Sequence, residues 1–223
     1  MTQTQTQTQT QTQNKKLSVF DFDGTLTWHD SFIPFLRFAF GNRCFSQKLM
    51  KMAKPSWHYL NKHISRDELK QNLISTFLTG IEEKQLQKKA EIFCQLYWTK
   101  LMRPKGLSGV AAEIASGAEV TICSASPELI LKPFADKLAI KLIGTQLEVK
   151  NGKLTGKIIG NNCRCMQKII RLQNIYGSLD QYHIRAWGDS AGDYELLSAA
   201  NQPHWRHFHA AWRKGKIPSQ ITK

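Results

Sequence analysis

The sequence predicts an α/β protein, with a Rossmann-like core built on a mostly parallel sheet and an inserted α-helical block. Three observations predict it. Short apolar runs at residues 17–20, 118–123 and 183–187 each lead into a turn bearing acids or hydroxyls. From residue 105 to residue 200, strand-like and helix-like periods alternate, the pattern of a parallel sheet with helices on both faces. Residues 31–104, between the first run and the second, have few strand signals and carry apolar residues at helical spacing.

Residues 1–14 are a Thr-Gln repeat. Such a low-complexity tract is expected to be disordered, and it lacks the apolar centre of a signal peptide. Residues 15–30 then open the core, which resumes at 105–212, with 31–104 as a helical cap and 213–223 as a basic tail. In the cap, Leu69, Leu73, Phe77 and Leu78 recur at helical spacing, as do Leu86, Ala90, Phe93, Cys94 and Tyr97. Ser65 and Glu68 have the spacing of a capping box. Three to five cap helices are expected. The core then reads as helix 107–116, strand 118–123 and helix 127–138, with Ser126 before Pro127 as the cap candidate. Strands 141–149 and 153–159 flank Asn151-Gly152, a hairpin signal. Helix 165–176, strand 183–187 and helix 193–200 complete it.

The chemistry gathers at the strand ends. Asp21-Phe22-Asp23-Gly24-Thr25 puts two carboxylates and a hydroxyl on one loop after the first strand. Open α/β sheets bind ligands at that edge. Mg²⁺ takes oxygen ligands and keeps several waters, so one or two carboxylates plus a substrate phosphate suffice. A carboxylate beside such a cation can also act as a nucleophile. Ser124 ends the second strand. Lys168 stands near the start of a later helix, with Arg164 and Arg171 as rivals, and Gly188-Asp189 with Asp193 follows the third strand.

In this order the four strings resemble the motifs of the haloacid dehalogenase (HAD) superfamily of phosphatases, and the helical insertion resembles that of its subfamily IB, the phosphoserine phosphatase-like branch. The resemblance implies a Mg²⁺-dependent phosphatase. Asp21 would be the nucleophile that becomes an aspartyl-phosphate, and Asp23 the general acid and base. Asp21, the backbone carbonyl of Asp23, and Asp189 would hold Mg²⁺, with Asp193 supporting them from behind. Ser124, Lys168 and Thr25 would bind the phosphate, and Lys168 would also offset charge on the nucleophile.

The branch pattern is not followed throughout. Phosphoserine phosphatases usually carry Ser after the second acid and Glu nine residues beyond the nucleophile; here these are Gly24 and Asp30. Asp30 is the candidate contact to a substrate ammonium. Asp30-Ser31-Phe32, residues 163–168 and His204-Trp205-Arg206 look like phosphatidylglycerophosphatase C and its relatives. Two substrate classes therefore stand: a small phosphorylated metabolite of the phosphoserine kind, and a lipid head group at a membrane surface.

The net charge of +14 favours anionic partners. Residues 31–104 hold thirteen Lys/Arg against five Asp/Glu, and residues 204–223 hold five against none. An anionic membrane is a candidate peripheral contact. A non-catalytic nucleic-acid-binding protein on the same scaffold would be expected to lose motif residues; all are retained, and no nucleic-acid-binding motif is recognisable. No run of about eighteen apolar residues exists to span a bilayer. The five cysteines are odd in number, and Cys163 and Cys165 have poor zinc-site spacing. Reduced thiols in a cytoplasm are expected.

Overall fold

The computed structural model describes residues 15–221; the low-complexity segment 1–14 and the last two residues of the basic tail lie outside them. A five-stranded sheet, parallel at every pairing, has the order β3-β2-β1-β6-β7. Its strands are β1 (Lys15–Phe20), β2 (Glu119–Pro127), β3 (Lys141–Thr145), β6 (Tyr182–Gly188) and β7 (Gln202–Trp205). A separate antiparallel pair comprises β4 (Leu147–Lys150) and β5 (Lys153–Ile158). The three expected neighbours are adjacent, with β1 between β2 and β6: Phe20 is in register with Ile122 on one side and Trp187 on the other.

Alternation along β1 explains the two apolar layers. Leu17 and Val19 face α7 (Met166–Tyr176) and α8 (Tyr194–Ala199), where Leu172, Leu196 and Leu197 are fully or nearly fully buried. Phe20 faces the opposite layer, with Val110 of α5 (Pro104–Ala115) and Phe134 of α6 (Glu128–Leu138). Ser18 shares that second face, and its hydroxyl donates to Glu113 Oε2 at 2.6 Å. Glu113 also pairs with Arg185 of β6, so a buried polar group has partners on both sides, as burial requires.

Four helices form the insertion: α1 (Phe32–Met50), broken at Gly41, then α2 (Ala53–Leu60), α3 (Arg66–Leu78) and α4 (Glu83–Leu101). The Ser65–Glu68 capping box is present with both of its hydrogen bonds. The two chain crossings between core and insertion run side by side: Thr27 bridges Met102, Trp28 N–H donates to Leu101 O, and Arg103 N–H donates to Leu26 O. The apolar core is continuous across this junction. Phe134 of α6 touches Phe22, Phe93 and Trp98 at ring-centroid distances of 5.2, 6.3 and 5.9 Å.

Two sequence expectations change. The run 141–149 is not one strand: β3 joins the main sheet, while β4 turns away to pair with β5 through Asn151 and Gly152, both at positive φ, as a two-residue hairpin turn demands. This hairpin meets the insertion, with Leu154 exchanging backbone hydrogen bonds with Gly80 and Ile81. β7 was not expected. It is short and contains Pro203, which an edge strand tolerates because no neighbour needs its N–H.

Phe134 joins the core to the helical insertion, and replacing it should loosen both. Phe134→Ala is expected to cost about 3–5 kcal/mol, seen as a lower urea midpoint in a single transition. A loss below about 1 kcal/mol would show that the α4–α6 contact contributes little.

Candidate active site

The carboxyl edge of the sheet delivers three loops to one place. Asp21 follows β1 directly and its N–H donates to Trp187 O of β6 at 2.9 Å. The following turn requires Gly24. Its φ is +81°, and a Cβ there would lie 2.4 Å from Asp189 Oδ2. Gly188 allows a second close approach, because a Cβ there would sit 2.5 Å from Asp193 Cβ. Gly24 lets the loops after β1 and β6 close on each other, and Gly188 lets the loop after β6 fold back on its own strand.

Lys168, in the first turn of α7, is 1 % exposed. Its ammonium donates to Asp21 Oδ1 at 2.6 Å and to Asp193 Oδ1 at 2.5 Å. Asp193 Oδ2 accepts from the N–H groups of Asp189 and Ser190 and from the Ser190 hydroxyl. Asp193 thus holds the Lys168 ammonium with one oxygen and the turn after β6 with the other. Lys168 is the cation that meets these acids; of its sequence rivals, Arg171 is engaged on the carbonyls of Gly144 and Asn161, whereas Arg164 lines the same cavity.

Oxygens of Asp21, Asp189 and Asp193 lie within 4.8 Å of one another. Three carboxylates facing one ammonium leave two negative charges uncompensated. Burial, then the neighbouring Asp193, pushes the Asp21 pKa well above the usual carboxylate value, against the pull of Lys168. Burial and Asp193 likewise raise Asp189 to about 6. Burial opposes charge on Lys168, but Asp193 and Asp21 outweigh it and hold the ammonium charged. An all-oxygen donor set with a charge deficit of two fits a hard divalent cation.

Asp23 points away from this cluster. Its Oδ1 accepts from Ser31 N–H at 2.7 Å and its Oδ2 accepts from the Ser126 hydroxyl at 2.5 Å. Burial raises its pKa to about 6, with Asp30 adding to the rise. Any part Asp23 has in holding a cation therefore falls to its backbone carbonyl. Ser126 was expected to cap a helix; it does not, since α6 begins after Pro127 without a side-chain cap. Ser124, 1 % exposed, accepts from Ser126 N–H at 3.1 Å and keeps its own proton for a ligand. Thr25 departs from the expected phosphate cradle, because its hydroxyl donates to Asp189 Oδ1 at 3.4 Å and it does not line the cavity. Asp30 lines the cavity, but its Oδ1 accepts from Ile33 N–H at the start of α1.

The cavity over these groups measures about 630 Å³ and is lined by core residues on one side and α1–α3 on the other. Lys70 of α3 reaches down into it, its ammonium donating to Ala125 O and to Asn162 Oδ1. Two further residues brace the first loop. Arg103 donates from Nε to Thr27 O and from Nη2 to Gly24 O, and the His209 ring nitrogen lies 2.8 Å from Gly24 O. Sequence reading missed Ser126, Lys70, Arg103 and His209. A second cavity of about 650 Å³, between α4, α6 and the β4–β5 hairpin, shares no lining residue with the first and holds none of the groups above.

Residues 18–198 match the sequence profile of the haloacid dehalogenase-like hydrolases. The chain belongs to that family. It is 37 % identical over 194 residues to the protein CicA of Caulobacter vibrioides, covering 86 % of each chain. A Bordetella pertussis protein of unknown function has a similar structure, with a TM-score of 0.71 at 18 % identity and coverage of 86 % of this chain and 89 % of that one. A phosphoserine phosphatase in the form of a phospho-aspartyl intermediate analogue gives a TM-score of 0.56 at 20 % identity, covering 84 % of each chain.

The charge deficit predicts an unusual stability pattern. In chelator, Asp189→Asn is expected to melt above the parent, because it removes one uncompensated buried charge. Added Mg²⁺ should raise the melting temperature of the parent and leave the variant nearly unmoved. A parent indifferent to Mg²⁺ in differential scanning fluorimetry would argue against a cation at these carboxylates.

Proposed function

We propose that this protein is a Mg²⁺-dependent phosphomonoesterase that works through a phosphorylated Asp21. The observation that carries the reading is the buried Lys168 ammonium shared by Asp21 and Asp193, at a sheet edge where a second acid, Asp23, is held apart from the cluster. The ammonium favours the ionised, nucleophilic form of Asp21 against the burial that opposes it, and Asp23 is kept able to carry a proton.

Asp21 and Asp189, with the Asp23 carbonyl, would hold Mg²⁺, and Asp193 would fix the Lys168 ammonium and the turn beside them. The cation supplies positive charge to the phosphate and to the acid cluster. Asp21 Oδ2, the oxygen not engaged by Lys168, attacks phosphorus in line. Phosphoryl transfer needs positioning and charge neutralisation more than elaborate covalent steps. Lys168 offsets charge on the nucleophile, and the Ser124 hydroxyl donates to a phosphoryl oxygen. Asp23 protonates the leaving oxygen, then takes a proton from the water that hydrolyses the aspartyl-phosphate. The Ser126 hydroxyl suits that alternation, since it donates to a carboxylate and accepts from a carboxylic acid.

The substrate is a phosphate monoester, and the first reading is a small metabolite of the phosphoserine kind. The fold likeness to phosphoserine phosphatases supports it. One observation favours the second reading, a lipid head group: the cap side of the cavity is largely apolar, with Trp28, Phe32, Ile33, Leu49, Met52 and Leu69 along it. Asp30 accepts from Ile33 N–H in the first turn of α1 with one oxygen and has only the other left for an ammonium.

Asp21→Asn is expected to abolish phosphate release while leaving the melting temperature within a few degrees of the parent, because the amide is near-isosteric but does not attack phosphorus. Asp23→Asn should slow turnover by roughly 10²–10⁴-fold and, with p-nitrophenyl phosphate, whose leaving group needs no protonation, let hydroxylamine-labile phosphate accumulate on the protein. A screen of phosphoserine, sugar phosphates, nucleotides and phosphatidylglycerophosphate in mixed micelles, with an acceptor added in parallel to detect phosphoryl transfer, checks both the reaction and the substrate class. Full activity of Asp21→Asn would remove the nucleophile assignment.

A further inference from the structure

We propose that the end of α1 and the whole of α2 form a docking face for an anionic lipid bilayer, set at the mouth of the catalytic cavity. The first ground is charge. Residues 31–66 contain seven Lys/Arg and no Asp or Glu. Arg43, Lys51, Lys54 and Lys62 are all exposed, and none is in an ion pair among the described residues.

The second ground is apolar exposure in the same place. No residue of α2 is buried, yet this helix carries Trp57, Tyr59 and Leu60. Met50, Trp57 and Leu60 are 71 %, 59 % and 77 % exposed. Leu49 is exposed too. A helix of a globular protein ordinarily turns such residues to the core. Large apolar side chains interleaved with lysines are the composition of a helix that lies in a membrane interface. No helix among the described residues is long and apolar enough to cross one.

The third ground is position. Leu49, Met52 and Ser56, from this same segment, line the catalytic cavity together with Asp21, Lys168 and Asp189. A bilayer against Trp57 and Leu60 therefore lies beside the opening, and the apolar cavity wall continues towards it. The consequence for the substrate, a phosphate monoester carried by a lipid, rests on the phosphatase reading above; the docking itself does not.

Other occupants fit less well. A second copy meeting this face about a two-fold axis would set the cations against themselves. Nucleic acid would use the cations and Trp57, but has no use for the aliphatic side chains of Met50 and Leu60. A bilayer uses both: anionic head groups attract the lysines, and Trp57 and Leu60 enter the acyl boundary.

The test is co-sedimentation of the full chain with phosphatidylcholine vesicles and with mixed phosphatidylcholine–phosphatidylglycerol vesicles, at physiological salt. Binding to the mixed vesicles only is expected. Trp57→Ser/Leu60→Ser and Lys51→Ala/Lys54→Ala should each weaken it by roughly tenfold or more. None of these four residues lines the cavity, so hydrolysis of the soluble substrate p-nitrophenyl phosphate should stay at the parent level, which excludes misfolding. The proposal is overturned if the parent does not bind mixed vesicles. It is also overturned if the Trp57→Ser/Leu60→Ser variant binds them as well as the parent, or if the parent binds RNA in preference to them. Vesicle binding by a parent that hydrolyses no phosphate ester would leave the docking in place and remove the phosphatase reading.

Discussion

The ammonium of Lys168 lies between Asp21 and Asp193, and much of the site is organised by that placement. A buried ion pair stabilises only when its geometry is good and its remaining polar atoms are satisfied. Here one cation is shared by two acids and a third stands close by, so the arrangement is deficient in positive charge by construction. The protein accepts this because the surrounding frame is rigid. Lys168 is fixed on α7, Asp193 is bonded to the turn after β6, and the Asp21 N–H is bonded to the Trp187 carbonyl near the end of that strand. The deficit is also the site's chemical asset, because it makes the edge of the sheet attractive to a divalent cation and to whatever arrives with one.

That frame is secured from outside the four motifs. The Gly24 carbonyl accepts from Arg103, at the junction of α4 and α5, and is met by His209, after β7. Arg103 also holds Thr27 O and Phe208 O and packs over Trp28. One guanidinium therefore ties the first loop to both the cap junction and the C-terminal segment. Arg206 extends the brace by donating to Asp189 O. Arg206, which in sequence stands out only within the string His204-Trp205-Arg206 and a basic stretch, spends its donors on backbone carbonyls at and near the site.

The candidate acids and Ser124 were legible because they lie at or just past strand ends, which are marked locally by an apolar run, a glycine and an acid or hydroxyl. Asp21, Asp189, Asp193 and Ser124 meet in space because β1, β2 and β6 are parallel neighbours and one edge collects their ends; Lys168 reaches them from the first turn of α7. What stayed hidden depends on long-range contact or on an ambiguous local signal. Ser126 before Pro127 reads as a helix cap, and only the fold reveals Asp23 as its partner. Lys70 is one lysine on a basic helix, with nothing in its neighbours to separate it from the rest. Arg103 and His209 act on a carbonyl far away in the chain. The run 141–149 reads as one strand because the period does not change where the chain leaves the sheet.

The contrast between the two walls of the cavity bears on how the molecule selects a substrate. The core wall offers charge and hydroxyls at fixed positions, which suits a phosphate and discriminates little beyond it. The cap wall offers mainly apolar surface, with Lys70 and Arg66 as cations near it. A zwitterionic amino-acid phosphate needs a carboxylate for its ammonium, and the acid nearest to that task, Asp30, is half committed to the backbone of α1. Leaving an ammonium without a full partner in a partly apolar cavity is costly, because a desolvated charge must be paired. A leaving group with an apolar portion meets no such cost there. On the proposed phosphatase reading, the half-committed Asp30 and the apolar cap wall would together suit a phosphate monoester whose leaving group has an apolar portion.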